Sequence, residues 1–160
     1  MSKLRVLFVC TGNICRSPTA EGVLRHKARD AGLAESIEID SAGTHGYHIG
    51  DPPDQRAIRQ AATRGYDLSD QRARKLRHED FDAFDLILAM DCGHLSLMNG
   101  MAPKDGGAEV KLFLDYAPEA NGSREVPDPY YGGLEDYDHA LDLIEAGVER
   151  LLDALRQDLR

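Results

Sequence analysis

Apolar positions along the chain change rhythm several times, and each rhythm predicts an element. Leu4-Arg5-Val6-Leu7-Phe8-Val9 is a short apolar run that predicts a buried strand. Residues 17–31 then carry Ala20, Val23, Leu24, Ala28 and Ala31 close to helical spacing. Ser17 is placed to cap that helix, Pro18 suits its first position, and Gly32 can end it. Ile37-Glu38-Ile39-Asp40 alternates and predicts a second strand. Asp51-Pro52-Pro53-Asp54 breaks the chain, with a helix expected from there to about Thr63. Phe84-Asp85-Leu86-Ile87-Leu88-Ala89 predicts a third strand, followed by a helix from about Asp91. Val110-Lys111-Leu112-Phe113 is a weaker fourth strand. The last segment is the clearest helix, with Leu141, Ile144, Val148, Leu151, Leu152 and Leu155 on one face and charges between them.

Alternating strands and helices argue for an α/β fold, a parallel sheet with helices on both faces. Right-handed crossovers then bring successive strand ends to one edge, where open α/β sheets bind ligands. Residues 101–108 and the Pro-, Gly- and Asp-rich residues 117–133 read as loops within one domain spanning 1–160. A chain of 160 residues buries roughly two-thirds of its unfolded surface, so its core can stand without disulfides.

Composition narrows the function classes. At 42% hydrophobic and 29% charged, the chain is of ordinary globular make-up. The net charge of −9 argues against nucleic acid as a partner, and it repels anions at long range. Any anion site must therefore be built from local donors. The N-terminal residues from Met1 to Val6 hold no long apolar stretch, and no run approaches the roughly 18 residues of a membrane span. Three cysteines, at 10, 15 and 92, read as reduced thiols of a cytoplasmic protein. The six histidines show no metal-ligand spacing, so neither a metal nor a cofactor is expected. The seven arginines and lysines between Arg56 and Arg77 read as a solvated face.

The candidate chemistry lies where the first strand meets the first helix, in Cys10-Thr11-Gly12-Asn13-Ile14-Cys15-Arg16-Ser17. Gly12 and Asn13 tolerate left-handed backbone, which a tight loop needs. Such a loop can turn its amides inward as an anion nest, and the following helix adds the positive end of its dipole. Arg16 supplies a planar fork for two phosphoryl oxygens. The same field favours thiolate over thiol, which makes Cys10 a candidate nucleophile facing a phosphate cradle. A lone cysteine at a strand end is more often a small buried hydrophobe. The conjunction of strand, Cys, Gly-Asn, Cys-Arg-Ser-Pro and helix is what outweighs that reading.

Val9 to Pro18 resembles the motif Val-Cys-x-Gly-Asn-x-Cys-Arg-Ser-Pro of the low-molecular-weight protein tyrosine phosphatases. Asp128-Pro129-Tyr130 matches that family's second motif, and Ser41-Ala42-Gly43-Thr44 and Met90-Asp91 are similar to it as well. The resemblance implies a three-layer fold with four parallel strands in the order 2-1-3-4. It implies hydrolysis of phosphotyrosine, or of small aryl phosphates, through a phosphocysteine on Cys10. Arg16 and the amides from Thr11 to Ser17 would then hold the phosphoryl oxygens. Asp128 would act as general acid and then general base. Asp136 and Asp138, the nearest rival carboxylates, read as the solvated approach to the last helix. Ser17 would hydrogen-bond the Cys10 sulfur, and Asn13 would hold the loop by bonding toward Ser41. Tyr47 on one side, with Ile14, and Tyr130 and Tyr131 on the other would wall a deep slot suited to a phenyl ring. His48 reads as a surface histidine. Cys15 would be the redox partner of Cys10 in a reversible disulfide, against the plainer reading that it packs under the loop. The expected assembly is a monomer or weak self-association.

Three rivals share the anion loop. An arsenate reductase needs further cysteines to relay a disulfide, and Cys92 is single in its region. The arginine-phosphatase branch of the same family favours Thr where Ile14 stands. A non-catalytic anion carrier has no need of Arg16 together with Asp128.

Overall fold

The computed structural model describes residues 3–159. Met1, Ser2 and Arg160, which the sequence reading includes in its single domain, lie outside the described residues. Strand β1 covers Leu4–Cys10 and is buried from Val6 onward, as its unbroken apolar run requires. It pairs in parallel with β2 (Ile37–Gly43) on one side and β3 (Leu86–Ala89) on the other, and β4 (Glu109–Leu112) pairs with β3. The sheet order is β2-β1-β3-β4, all parallel, as the resemblance implies. Cys10 stands opposite Gly43, and Val9 opposite Ala89, so three strands end at one edge.

Alternate residues of β1 serve two cores. Val6 and Phe8 pack with α1 (Arg16–Asp30), α2 (Gln55–Thr63) and α5 (Leu134–Asp158). Leu7 and Val9 face Phe81 of α3 (Asp80–Ala83) and Met98 of α4 (Cys92–Met101). This is the three-layer arrangement, with one helical layer on each face. The six apolar residues read as the inner face of the last helix are all buried. None of the helices among the described residues is long and apolar enough to cross a membrane.

The differences from the sequence reading lie in short or capped segments. Helix α1 opens at Arg16, so Pro18 is its third residue rather than its first. Ser17 does not cap it, and the helix has no side-chain cap. The Ser17 hydroxyl is instead engaged by Cys10 and Asn13, so the first amides of α1 face the loop rather than a capping oxygen. Strand β2 runs on to Gly43, and β3 begins at Leu86 rather than Phe84. Helix α3 has four residues, too few for a periodic signal. The loop from 117 contains a 3-10 turn at Pro118–Ala120. The basic stretch is largely consumed by carboxylates: Arg56 bonds Asp54, Arg64 bonds Asp142, and Arg74 bonds Asp40 and Asp80.

Gly147 of α5 lies against the ring of Phe113, which packs edge-on to Phe8 at 5.5 Å. A Cβ at 147 would overlap that buried ring. Gly147→Ala gains about 1 kcal/mol of helix propensity but overpacks the core at roughly 1–3 kcal/mol. The expected outcome is a lower midpoint in thermal unfolding. Gly100→Ala in α4, where a Cβ meets open space, is expected to raise the midpoint through a gain of about 0.4–1 kcal/mol.

Candidate active site

The loop between β1 and α1 has its backbone acceptors tied outward. The carbonyl of Cys10 accepts from the Thr44 amide at 2.8 Å, and that of Thr11 from His45 at 3.0 Å. The Ile14 carbonyl accepts from Asp54 at 2.8 Å, and the Cys15 carbonyl from the Thr19 hydroxyl at 2.7 Å. Among the described residues, none of the backbone amides from Thr11 to Ser17 donates to a protein acceptor. This is the donor-rich concavity that an anion requires. Gly43 permits it, because a Cβ there would stand 2.7 Å from the Thr11 carbonyl oxygen.

Asn13 has φ of 59°, in the left-handed region that Asn tolerates. Its amide nitrogen donates to the hydroxyls of Ser17 (2.8 Å) and Ser41 (2.9 Å), and its side-chain oxygen accepts from the Arg74 amide at 3.0 Å. Ser41 in turn donates to Glu21. Burial pushes the Glu21 carboxyl up, while the Ser41 and Arg25 hydrogen bonds oppose that rise. The Ser17 hydroxyl lies 2.9 Å from Cys10 Sγ. The expected support from Asn13, Ser17 and Ser41 is thus one connected polar chain beneath the loop.

Above it opens a cleft of about 200 Å³. Cys10, Thr11, Gly12, Ile14, Cys15 and Arg16 line its floor and lower wall. Asp128, Tyr47, Tyr130 and Tyr131 complete it, and His48 joins them. His48, read from the sequence as a surface histidine, lies at the cleft, with its ring against Gly12, where a Cβ would come within 2.9 Å. The floor and rim differ sharply in exposure, with Cys10 and Arg16 at 3% and Tyr131 at 91%. Tyr47 stacks on His45, and Tyr131 meets Tyr130 edge-on.

The Arg16 Nη1 donates to Asp91 Oδ2 and to the Val126 carbonyl, both at 2.9 Å. Its Nη2 lies 3.4 Å from the Thr11 hydroxyl and 3.7 Å from Asp128 Oδ2. Asp128 folds back on its own loop, its Oδ1 accepting the Tyr130 amide at 3.1 Å. Asp136 accepts the Gly133 amide at the start of α5, and Asp138 bonds Gln60, so both rival carboxylates have structural partners away from the cleft floor.

Asp91 and His94 received no role from the sequence. Asp91 Oδ1 caps α4 by accepting the His94 amide. Burial pushes the Asp91 carboxyl up, but that amide and Arg16 outweigh it and hold it below the usual carboxylate value. Burial, helped by the Arg16 charge, pushes the His94 imidazole down to about 4. A neutral His94 therefore meets the Thr11 hydroxyl, with Nε2 2.8 Å from Oγ1. His94 Nδ1 lies 3.1 Å from Asp91 Oδ1, without the alignment of a hydrogen bond. The available signal was an Asp capping a helix just after a strand end at the ligand-binding edge. Cys15 is buried against the Tyr137 hydroxyl, 3.4 Å away, and desolvation pushes its thiol up to about 12. Among the described residues, no group of three or more metal-ligating side chains converges.

Comparison with known proteins agrees with this geometry. The family model for low molecular weight phosphotyrosine protein phosphatase matches residues 5–160. A low molecular weight protein-tyrosine-phosphatase of Streptomyces coelicolor is 45% identical over 97% of this chain and 95% of its own length. The crystal structure of a protein tyrosine phosphatase from Entamoeba histolytica superposes with a TM-score of 0.93 at 34% identity, covering 99% of this chain and all of that one. A Drosophila arginine phosphatase superposes with a TM-score of 0.87 at 30% identity, over 95% of this chain and 98% of that one. With the family model matching residues 5–160 and 45% identity over 97% of its length, the chain belongs to the low molecular weight phosphotyrosine protein phosphatase family.

Proposed function

We propose that the protein hydrolyses phosphotyrosine and related aryl phosphates through a phosphocysteine intermediate. The observation that carries this reading is Cys10 on the floor of a cleft whose loop amides, from Thr11 to Ser17, bond no protein acceptor. In the first step Cys10 Sγ attacks phosphorus, and the aryl oxygen leaves with a proton from Asp128. Arg16 and the loop amides bind the equatorial oxygens as charge shifts among them. In the second step the Asp128 carboxylate takes a proton from water as it attacks the phosphocysteine. Inorganic phosphate departs and the sulfur regains its electron pair, with the Ser17 hydroxyl 2.9 Å away to support the thiolate. The aromatic walls Tyr47, Tyr130 and Tyr131 favour a phenyl ring over a short seryl chain. The three free cysteines fit a reducing, cytoplasmic setting.

A second reading, phosphoarginine hydrolysis, is kept in view by the likeness to the Drosophila arginine phosphatase. Ile14 weighs against it, since an apolar side chain on the cleft offers no acceptor to a guanidinium. Cys15 adds a redox capacity. A peroxide would oxidise the Cys10 thiolate to a sulfenic acid. The Cys15 thiolate would then displace hydroxide from that sulfur to give a disulfide. The raised Cys15 thiol makes this closure slow at neutral pH and faster as pH rises.

Four measurements test these assignments. Cys10→Ser is expected to abolish turnover of phenyl phosphate, and full retained activity would sink the nucleophile assignment. Asp128→Asn should lower kcat/KM on phenyl phosphate by roughly 10²–10⁴-fold, with a much smaller loss on an aryl phosphate whose leaving group needs no proton. Ile14→Thr should raise the ratio of phosphoarginine to phosphotyrosine turnover, and an unchanged ratio removes Ile14 as the selector. After peroxide treatment, wild type should regain activity with a thiol reductant while Cys15→Ser should not; equal recovery would remove Cys15 from the redox reading.

A further inference from the structure

The Arg56 guanidinium joins three segments that approach the cleft from different parts of the chain. It stands in the first turn of α2, where Nε and Nη2 bond the two carboxylate oxygens of Asp54 at 3.0 and 3.1 Å. Nη2 also donates to the Tyr130 carbonyl at 2.9 Å, and Nη1 to the Gly132 carbonyl at 3.1 Å. Four of its five N–H groups are thus engaged. Its plane lies over the Tyr137 ring at 4.8 Å, with the Tyr130 ring at 5.7 Å.

Each partner leads to the reacting groups. The Tyr130 residue holds Asp128 through its amide and Arg56 through its carbonyl. The Asp54 amide donates to the Ile14 carbonyl of the loop that carries Cys10 and Arg16. Burial pushes the Asp54 carboxyl up, but its bonds to Arg56 outweigh this and hold it below its ordinary value, so the pair stays charged. A surface ion pair on its own is worth little. This guanidinium does something an isolated pair does not, because it fixes the distance between two loops that share no backbone ladder.

We propose that Arg56 is a positioning residue for Asp128, clamping the loop of residues 128–133 to the 11–17 loop by way of Asp54. The proposal rests on the reading of Asp128 as general acid. Arg56 touches neither the sulfur nor the phosphoryl group. Its effect is confined to steps in which Asp128 moves a proton. A lysine cannot replace it, because one ammonium cannot face a carboxylate and two carbonyls in a planar fork.

The test compares Arg56→Met, Arg56→Lys and Asp128→Asn on phenyl phosphate and on 2,4-dinitrophenyl phosphate, whose phenolate leaves without a proton. Arg56→Met is expected to lose roughly 10–100-fold in kcat/KM, which reports only the steps up to release of the phenol, on phenyl phosphate, as misplacement by about 1 Å does. It should stay within about twofold of wild type on the dinitrophenyl ester, with inhibition by inorganic phosphate unchanged. Arg56→Lys should behave like Arg56→Met, and adding Arg56→Met to Asp128→Asn should cost nothing further. Equal losses on both esters, or full additivity with Asp128→Asn, would overturn the clamp. So would an Arg56→Met variant unaffected on phenyl phosphate while Asp128→Asn is impaired there. If Asp128→Asn itself shows no leaving-group dependence, the acid assignment fails and the clamp falls with it.

Discussion

Everything at the candidate site depends on the backbone of residues 11–17 being held with its acceptors outward and its donors inward. Left alone, such a loop would relax, because converging amides repel one another and lose their water. The outward carbonyl bonds to Thr44, His45 and Asp54 prevent this from one side. Asn13 prevents it from within, bonding two serines and the Arg74 amide while holding positive φ. The strain is modest for Asn and is offset by three hydrogen bonds in a buried setting. The absence of a cap on α1 belongs to the same design. A side-chain oxygen at that helix end would fill the place where an anion would bind.

This resolves the conflict between a net charge of −9 and an anion as ligand. At physiological ionic strength charges are screened over about 8 Å, so most of the acidic surface acts weakly on the cleft floor. Donors at hydrogen-bond distance are not screened in that way. Arg16 is 3% exposed and meets Asp91 at 2.9 Å and Asp128 at 3.7 Å. Asp91 and the Val126 carbonyl engage Nη1 and fix the plane of the fork. Asp128 is in looser contact and 41% exposed, which suits the mobile role proposed for it. The two carboxylates thus differ in kind: one orients the cation, and the other is left partly exposed on the cleft.

Much of this was legible in the sequence because it is local. The unbroken run ending at Cys10, the Gly-Asn pair and the following Arg fall within a few residues of each other, so spacing alone places them on one loop. The strand order was not legible from periodicity, since a β-α-β alternation fits several orders; it came with the resemblance. Ser17 fits two roles in the sequence, a helix cap by its position and a partner of Cys10 by the resemblance; the fold keeps the second, and it adds Asn13 as a donor to the same hydroxyl. Asp91, His94, Asp54 and Arg56 were missed for a different reason. Their meaning lies in contacts across 40 to 83 positions, such as Asp54 to Ile14, Arg56 to Tyr130 and His94 to Thr11, which no short window contains.

The contrast between floor and rim sets what each part can contribute to selectivity. The floor is built from backbone and buried side chains, and in the proposed reaction it would recognise a phosphoryl group without regard to what carries it. The rim is built from Tyr47 and Tyr131, at 72% and 91% exposure, with Tyr130 more sheltered between Arg56 and His48. Exposed rings gain most from covering a flat apolar group, since that removes both surfaces from water. On the proposed reading, ring contact and phosphate contact would be made at different depths of the same cleft. In the proposed reaction a substrate long enough to touch both would gain from each, and a short phosphoseryl side chain held at the floor would not reach the exposed rings.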